Sequence, residues 1–304
     1  GHRLYWMYLL AYLAIGALLC IFPKPTKSSL FASLLPTKVY TNRSFFTDVK
    51  IYMLNGVLAS ILSIGVIVSA TALIAGFVSD LLAGSWTNAN IGMAPTTALT
   101  IMFAVALLLL TDLGLFVAHY ISHKVPFFWA FHKVHHSAEV LTPITAYRFH
   151  PIDRLLTSLI VSLTVGPLIG AYQFLYTADL VAESSLIYGN VMFLFLLTAN
   201  LRHSHLTLHF PKALSRWLVS PAMHKVHHST NPIHFDKNLG IIFSIWDRIA
   251  NTYFLPDKEE VLEFGIGGGE EKKYRELTSC YLLPIRQAGT MCVNAAKRIV
   301  NAVS

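Results

Sequence analysis

Charge is what this sequence most conspicuously lacks. Only 13% of its 304 residues are Asp, Glu, Lys or Arg, whereas 54% are hydrophobic. Soluble globular domains carry about 25% charged residues, so the composition favours a protein that lies in a membrane. The net charge is +7, but the basic residues are scattered between apolar segments and form no compact basic domain. We therefore assign the positive charge to contacts with anionic lipid headgroups and expect no nucleic-acid partner.

Cysteine is also scarce, and several catalytic motifs are missing. Cys20, Cys280 and Cys292 are odd in number and lack metal-site spacing, so the sequence predicts neither a disulfide framework nor a thiolate metal centre. There is no H-E-x-x-H segment of a zinc protease and no E-x-x-H motif of a soluble di-iron bundle. The Gly-rich stretch 265–269 has no P-loop lysine, which argues against nucleotide binding.

Long apolar runs are abundant. Five of them approach or exceed the roughly 20 residues that a membrane-spanning helix needs. We therefore predict an all-α integral membrane bundle of four or five spanning or re-entrant helices. The predicted runs are 4–22, 51–78, 96–117, 155–175 and 180–199.

The basic residues between these runs predict the orientation. The segment between the first and second runs is rich in lysine, the next segment has no Lys or Arg, and the segment after the third run is basic again. The positive-inside rule then places the first and third segments in the cytoplasm, together with all the histidine clusters and the C-terminal tail. The basic residues are Lys24, Lys27, Lys38, Arg43 and Lys50 in the first segment, and Lys124, Lys133, Arg148 and Arg154 in the third.

Three regions follow from these patterns. Residues 1–95 are predicted to form an N-terminal transmembrane region with a cytoplasmic loop, and residues 96–255 a histidine-rich catalytic domain. Residues 256–304 begin with charged and Gly-rich sequence and are predicted to form a cytoplasmic tail with a helix over about 272–303. That helix is amphipathic, and we expect an ordinary surface helix rather than one that covers the site.

Histidines carry the strongest functional signal. Ten of the fourteen fall into four clusters, two of the form H-x-x-x-H and two reading H-K-V-H-H. Helical residues three and four positions apart share one face, so each cluster directs its imidazoles together. Ten nitrogens would give each of two metal ions five ligands and leave an open coordination position. The candidate ligands are His119, His123, His132, His135, His136, His205, His209, His224, His227 and His228.

Other histidine-based sites fit the pattern less well. A membrane cytochrome needs only paired axial histidines, which leaves the triplets unexplained. A metal transporter would place its ligands within the spans. A dinuclear, all-histidine site in a cytoplasmic helical cap fits best, and imidazole suits iron, zinc, copper and nickel.

The order of the motifs resembles the fatty acid hydroxylase/sterol desaturase superfamily of membrane di-iron oxygenases. The resemblance covers about residues 98–254 and extends to three further segments. It implies that the ten histidines hold two iron ions, with zinc possible in isolated protein. His205 and His209 are the least certain positions because His203 offers an alternative pairing. The three segments are Phe149-His150-Pro151 with Asp153, the stretch 234–240, and Ser244–Arg248 leading to Asn251–Tyr253.

Six residues are candidates for orienting the ligand imidazoles, because metal-bound imidazoles usually donate their second N–H to a carboxylate or carbonyl. Asp112 lies seven residues before His119 and thus on the same helical face. The alternative role for Asp112 is a helix-packing contact, and for His150 and His234, which lie beside prolines, it is a capping or turn role. The candidates are Asp112, His150, His203, His234, Asp236 and Asn238.

The resemblance further implies an oxygen-dependent oxidoreductase that hydroxylates or desaturates a sterol, fatty acyl chain, carotenoid or related lipid. No fused haem domain and no flavin or nicotinamide motif occurs, so we expect electrons from a separate carrier or reductase. Lys133 and Lys225 are candidates for its docking face, with headgroup contact as the alternative. A non-catalytic metal-binding or regulatory protein of the same fold is the competing interpretation, followed by a histidine-lined transporter.

Overall fold

The computed structural model describes residues 4–22, 29–62, 64–85, 96–176, 180–257 and 260–303. Within these ranges the regular structure is helical, and β pairing is limited to two isolated bridges, Leu218–Phe243 and Ser229–Phe264. The predicted all-α class is therefore confirmed.

Thirteen α-helices can be followed in the described part of the chain, with short 3-10 turns between some of them. The turns are Pro143–Tyr147, Pro232–His234 and Glu270–Tyr274. The helices are α1 Trp6–Ile21, α2 Leu30–Leu34, α3 Thr37–Tyr40, α4 Arg43–Leu62, α5 Ile64–Ser85, α6 Thr97–Lys124, α7 Pro126–His136, α8 Pro151–Leu175, α9 Leu180–Ala199, α10 Lys212–Ser215, α11 Pro221–His227, α12 Ile245–Ile249 and α13 Leu277–Val303.

Two of the described helices, α6 and α8, are long and apolar enough to cross a bilayer. They correspond to the third and fourth predicted runs. Helix α1 and the stretches Ala70–Ser85 and Tyr188–Ala199 are apolar but shorter. A total of four or five membrane segments stays a prediction.

The second predicted run, 51–78, is helical on both sides of position 63, which lies outside the described residues: α4 covers its first part and α5 its second. Near the start of the run, the Asn55 side chain donates to the Phe149 carbonyl (2.8 Å) and accepts from the Tyr281 hydroxyl (2.7 Å). This part of α4 therefore packs against the residues around the histidine motifs.

Small residues let the long helices approach closely. Helix α8 packs against both α5 and α6. A Cβ atom added at Gly114 in α6 would lie 2.5 Å from Thr164 Oγ1, and one added at Gly170 in α8 would overlap the carbonyl oxygen of Ala75 in α5. Gly166 and Gly170 form the small-x-x-x-small pattern that favours close helix contacts in membranes.

Arg148 connects the helices that carry the site to the C-terminal region. Its fully buried guanidinium donates to Asp48 Oδ1 (2.6 Å), the Val134 carbonyl (2.8 Å) and the Tyr274 carbonyl (2.9 Å). Arg148 is therefore a buried ion-pair partner of Asp48 rather than a free charge in the basic segment after the third run. Tyr274 and Cys280 are buried with Ile51 and Val134, so the first turns of α13 pack against α4 and α7, whereas the helix is exposed from Gly289 onward.

We expect Gly170→Ala to destabilise the protein, because its added methyl group must displace the backbone of α5. Overpacking of this kind typically costs about 1–3 kcal/mol. Gly76→Ala is the matched control, since nothing lies within 4 Å of a Cβ atom at that helical position and alanine favours helix over glycine. Thermal unfolding in detergent checks this, and equal melting temperatures for the two variants would refute the close α5–α8 contact.

Candidate metal centre

Nine histidines form two adjacent groups. In each group the candidate ligand nitrogens all lie within 4.8 Å of one another. We call them the five-histidine group, which contains His119, His123, His132, His136 and His227, and the four-histidine group, which contains His135, His203, His224 and His228.

The two H-K-V-H-H motifs divide their imidazoles between the groups in opposite ways. On α7, His132 and His136 join the five-histidine group and His135 joins the other. On α11 and its C-cap, His227 joins the five-histidine group, and the remaining two join the four-histidine group. Consecutive histidines point about 100° apart around a helix, so each H-H pair serves both groups.

Local sequence explains where these helices begin. Pro126 occupies the first turn of α7, and Pro221 that of α11, where proline costs no helical hydrogen bond. The Ser220 side chain also accepts from the Met223 N–H and caps α11 (3.2 Å). The motifs therefore lie on short helices with well-defined starts.

The four-histidine group has an arrangement that hydrogen bonds alone do not explain. His203 Nε2 lies 3.2 Å from His135 Nε2, 3.1 Å from His228 Nε2 and 3.1 Å from His224 Nε2. A neutral imidazole has one N–H, so four converging nitrogens cannot all be satisfied by one another. A tetrahedron of nitrogens about 2.0–2.1 Å from a zinc-sized ion has edges of about 3.3–3.4 Å. The donor set therefore fits a metal ion.

The five-histidine group is held from outside by hydrogen bonds at Nδ1. His119 Nδ1 lies 2.7 Å from the Leu239 carbonyl, and His227 Nδ1 lies 2.9 Å from the Lys237 carbonyl. A carbonyl only accepts, so the proton of these imidazoles is on Nδ1 and the Nε2 lone pair is free. Four buried Nε2 atoms of the group have no hydrogen-bond partner within the described ranges: those of His123, His132, His136 and His227. This group fits a metal ion as well.

Two carboxylates complete the outer support. Asp153 accepts from His132 Nδ1 (3.1 Å) and from the Ser122 hydroxyl (3.2 Å). Asp236 lies 3.2 Å from His123 Nδ1 and 2.6 Å from Lys124 Nζ. These contacts fix ring orientation and increase ligand basicity.

Burial keeps the imidazoles of the two groups neutral, which is the form that binds metal. Desolvation, with smaller contributions from neighbouring histidines, lowers the pKa of His135, His136, His224 and His227 well below its ordinary value. It lowers the pKa of His228 to about 3. These side chains are therefore neutral near pH 7, so binding a metal displaces no proton from them.

The structure brings neither His205 nor His209 into the two groups. His205 Nε2 lies 3.0 Å from the Ser33 carbonyl, and its ring packs against Tyr40. His203 takes the place predicted for this cluster. The i, i+4 argument fails here because α9 ends at Ala199 and the histidines follow in turns and extended chain.

Of the supporting candidates, Asp236 contacts His123, whereas His203 is itself a member of the four-histidine group. His150 caps α8 by accepting from the Ile152 N–H (3.2 Å), and its Nε2 faces the Tyr281 carbonyl (3.3 Å). His234 is buried with Nε2 3.3 Å from Glu260. Neither imidazole belongs to the two groups, so the capping role fits His150.

Asp112 and Asn238 support the site indirectly. Asp112 accepts from the backbone N–H of Ile242 (2.8 Å) and Phe243 (3.0 Å) and from Trp246 Nε1 (2.9 Å). Asn238 binds the Met223 carbonyl (3.0 Å) through its amide nitrogen and accepts from the Phe254 N–H (2.8 Å). Both hold the loop whose carbonyls orient His119 and His227, rather than an imidazole.

Sequence reasoning missed several supports. Asp153 had a signal, because it lies in the His150-Pro-x-Asp segment and therefore in the first turn of α8. Phe149, which stacks on His135 with centroids 4.7 Å apart, belongs to the same segment. No sequence signal could have identified the carbonyls of Lys237 and Leu239, since every residue has a carbonyl.

Lys225 is not available to contact an electron carrier, the role predicted for it from the sequence. It is buried, and its ammonium group donates to the Thr207 hydroxyl (2.5 Å) and to the carbonyl of His205 (3.3 Å). Burial lowers its pKa to about 8. Lys133, the other candidate, is half-buried on α7.

We expect His203→Ala to remove the metal of the four-histidine group, whereas His205→Ala retains it. The first change deletes a converging nitrogen, and the second deletes only a contact to the Ser33 carbonyl. Metal content per chain, measured on purified protein with matched melting behaviour, distinguishes them. Full metal content in the His203 variant would refute the grouping.

Asp153→Asn should weaken metal binding to the five-histidine group by about 10–100-fold, as is typical when such a support is lost. The four-histidine group provides an internal control because Asp153 touches none of its members. Chelator titration should release one ion early and the second at its wild-type concentration. Unchanged release of both ions would contradict the assigned role.

Comparison with known proteins identifies the region that carries both groups. Residues 104–252 match the family model described as fatty acid hydroxylase, and no solved structure matches the chain. The matched range includes all nine grouped histidines.

Several curated proteins are similar over this region. The Delta(7)-sterol 5(6)-desaturase of Candida albicans is 28% identical over 176 residues, which is 56% of this chain and 39% of that protein. The alkylglycerol monooxygenase of Caenorhabditis elegans is 30% identical over 142 residues, 47% of this chain and 25% of that protein. The ornithine lipid hydroxylase of Rhizobium tropici is 30% identical over 170 residues, 55% of this chain and 46% of that protein.

The aligned parts thus cover between a quarter and a half of these relatives. The histidine motifs, their two groups and the family match point to the same conclusion. Residues 104–252 of this chain therefore form a fatty acid hydroxylase region, similar to that of sterol desaturases and lipid monooxygenases.

Proposed function

We propose that this chain is a membrane-bound oxidoreductase that holds two iron ions, one in each histidine group, and oxidises a lipid C–H bond with dioxygen. The observation that carries the proposal is that the two groups adjoin at the consecutive histidines of the two H-K-V-H-H motifs. The ring centroids of His136 and His228, which belong to different groups, lie 4.6 Å apart, and those of His227 and His228 lie 5.2 Å apart. Two ions held there would be neighbours and could act on one oxygen molecule.

Bound iron would supply the activation of dioxygen, which no amino-acid side chain provides. The chain supplies orientation and a dry environment. Nδ1 contacts to Asp153, Asp236 and backbone carbonyls keep the ligand rings from rotating. Trp129 packs against His123 and His136 at centroid distances of 5.1 and 5.4 Å, which limits water access to the five-histidine group. Exclusion of water protects a reactive oxidant from side reactions.

A lipid substrate is supported by the relatives and by the helices. The similar proteins are named for a sterol, an alkylglycerol and an ornithine lipid. His119 and His123 lie at one end of α6, a helix apolar enough to cross a bilayer. A lipid in the membrane would therefore reach the ligands from the apolar side.

The relatives include a desaturase, a monooxygenase and a hydroxylase, so both reactions are compatible with this ligand arrangement. Hydroxylation inserts an oxygen atom, whereas desaturation removes two hydrogens. In either reaction the substrate supplies two of the four electrons that reduce dioxygen. We propose that a separate carrier or reductase delivers the other two.

We also propose a multi-pass arrangement with the histidine groups and α13 on the cytoplasmic side. The lysines between the first two apolar runs support it. The proposed catalytic domain is residues 96–255, between an N-terminal region of 1–95 and a tail of 256–304. The packing of Tyr274 and Cys280 against Ile51 and Val134 joins the tail to the other two regions.

The competing proposal is a metal-binding protein of the same fold without oxygenase activity. Each group brings at least four imidazoles together, and the five-histidine group is also held by hydrogen bonds at Nδ1, which favours catalysis. Lipid profiling of cells with and without the gene, in air and under oxygen limitation, tests the difference. An oxygen-dependent product that appears only with the gene would name the substrate and the reaction type, whereas unchanged lipids would favour the competing proposal.

We expect His135→Ala and His227→Ala each to abolish turnover, because each removes a nitrogen from a different group. Protein should be prepared under iron-rich, zinc-poor conditions, since zinc outcompetes ferrous iron at nitrogen ligands. Turnover with a reductant is measured beside iron content. Trp217→Phe, outside both groups, is the control. Wild-type turnover in either histidine variant, or full activity of zinc protein, would refute the proposed iron centre.

A further inference from the structure

The contacts of Asp112 place part of the cap beside the apolar portion of α6. Asp112 precedes His119 by seven residues, which is about 10 Å along a helix that rises about 1.5 Å per residue. Its carboxylate holds the backbone of Ile242 and Phe243 and the indole of Trp246. The segment from Ile242 to α12 therefore lies farther from the end of α6 than the histidines do.

The exposure of residues along α6 changes close to Asp112. Exposed apolar residues occur at Ile101, Met102, Val105 and Leu109. Beyond Leu109, no residue of this fully described helix is exposed until Lys124. A stripe of exposed aliphatic side chains on a spanning helix faces lipid, so the lipid-facing part of α6 ends about one turn before Asp112.

A surface with a mixed apolar and basic character lies at this level. Trp217 and Ile249 are 60% and 70% exposed. The Trp217 carbonyl accepts from the Ser244 N–H (2.9 Å), and the Val219 N–H donates to the Ile242 carbonyl (2.9 Å). These bonds attach the chain after α10 to the segment that Asp112 holds.

Two arginines border these apolar side chains. Arg216 and Arg248 are exposed, and neither guanidinium has an ion-pair partner within the described residues. Burial raises the pKa of the Tyr253 hydroxyl, and the nearby charges of Arg248 and Arg216 oppose that shift, so both arginines lie near one side chain. The α10–α12 patch consists of Lys212, Leu214, Arg216, Trp217, Arg248 and Ile249.

We propose that the α10–α12 patch rests on the membrane, with Trp217 and Ile249 in the interfacial layer and Arg216 and Arg248 bound to the phosphates of anionic phospholipids. Tryptophan is enriched at the membrane–water interface because one ring is both apolar and a hydrogen-bond donor. Basic side chains at this level gain from the negative surface potential of anionic lipids. The contact would hold the cap at a fixed height above the bilayer, and it does not depend on metal chemistry.

Spin labels test the apolar half of the proposal. Ile249→Cys, Leu109→Cys and Val261→Cys are introduced one at a time into protein that carries Cys20→Ser and Cys292→Ser and retains only the buried Cys280. Val261 is 92% exposed on a loop and serves as the aqueous control, whereas Leu109 is the lipid control. In nanodiscs of phosphatidylcholine and phosphatidylglycerol, we expect labels at 109 and 249 to be reached by oxygen and shielded from a water-soluble nickel complex, with the reverse at 261.

Nickel accessibility at 249 equal to that at 261 would overturn the proposal. If the label at 109 were also in water, the membrane placement of α6 would fail, and the proposal with it. Neither result would alter the metal content, so a failure here is distinguishable from a failure of the proposed iron centre.

Bound lipid tests the basic half. The double variant Arg216→Gln/Arg248→Gln should retain several-fold less phosphatidylglycerol than wild-type protein, as counted by native mass spectrometry. Lys272→Gln/Lys273→Gln is the matched control, because it removes two exposed charges that lie beside α13 rather than along α6. Equal retention by both double variants would refute phosphate binding by the arginines.

Discussion

The centre of this protein depends on imidazole nitrogens that must face one another in a buried space. Such an arrangement is costly without a ligand, because buried polar atoms need partners. The chain meets part of that cost from outside, where Asp153, Asp236 and two carbonyls bind Nδ1 atoms of the five-histidine group. The remaining nitrogens converge on two points, and a cation at each point would satisfy them together.

The supports are themselves held by buried carboxylates. Asp247 accepts from the N–H groups of Leu239 and Gly240 at 2.7 and 2.9 Å, and Asp112 fixes the next turn of the same loop. Asp236 and Asn238 adopt left-handed backbone conformations, with φ of 58° and 53°. Asparagine and aspartate tolerate this region better than most residues, which explains their presence where the chain turns back toward the histidines.

Much of the site could be read from the sequence, since short-range spacing determines which side chains share a helical face. Histidines four residues apart share a group, as His119 with His123, His132 with His136 and His224 with His228 do, whereas the middle histidine of each H-K-V-H-H motif lies in the other group. The helical-spacing prediction does not extend to His205 and His209, which lie outside both groups because the chain after Ala199 is not helical. It also missed the buried roles of Arg148 and Lys225, whose partners are distant in the chain.

The sequence by itself determined the helical class, the apolar character of α6 and α8, and the residue types available to a metal site. These properties follow from composition and from periodicities within one helix. Only the tertiary structure decided that α7 and α11 divide their histidines two to one and one to two, and that His203 completes the second group. Those outcomes depend on how helices far apart in the chain pack together, and local spacing carries no information about that packing.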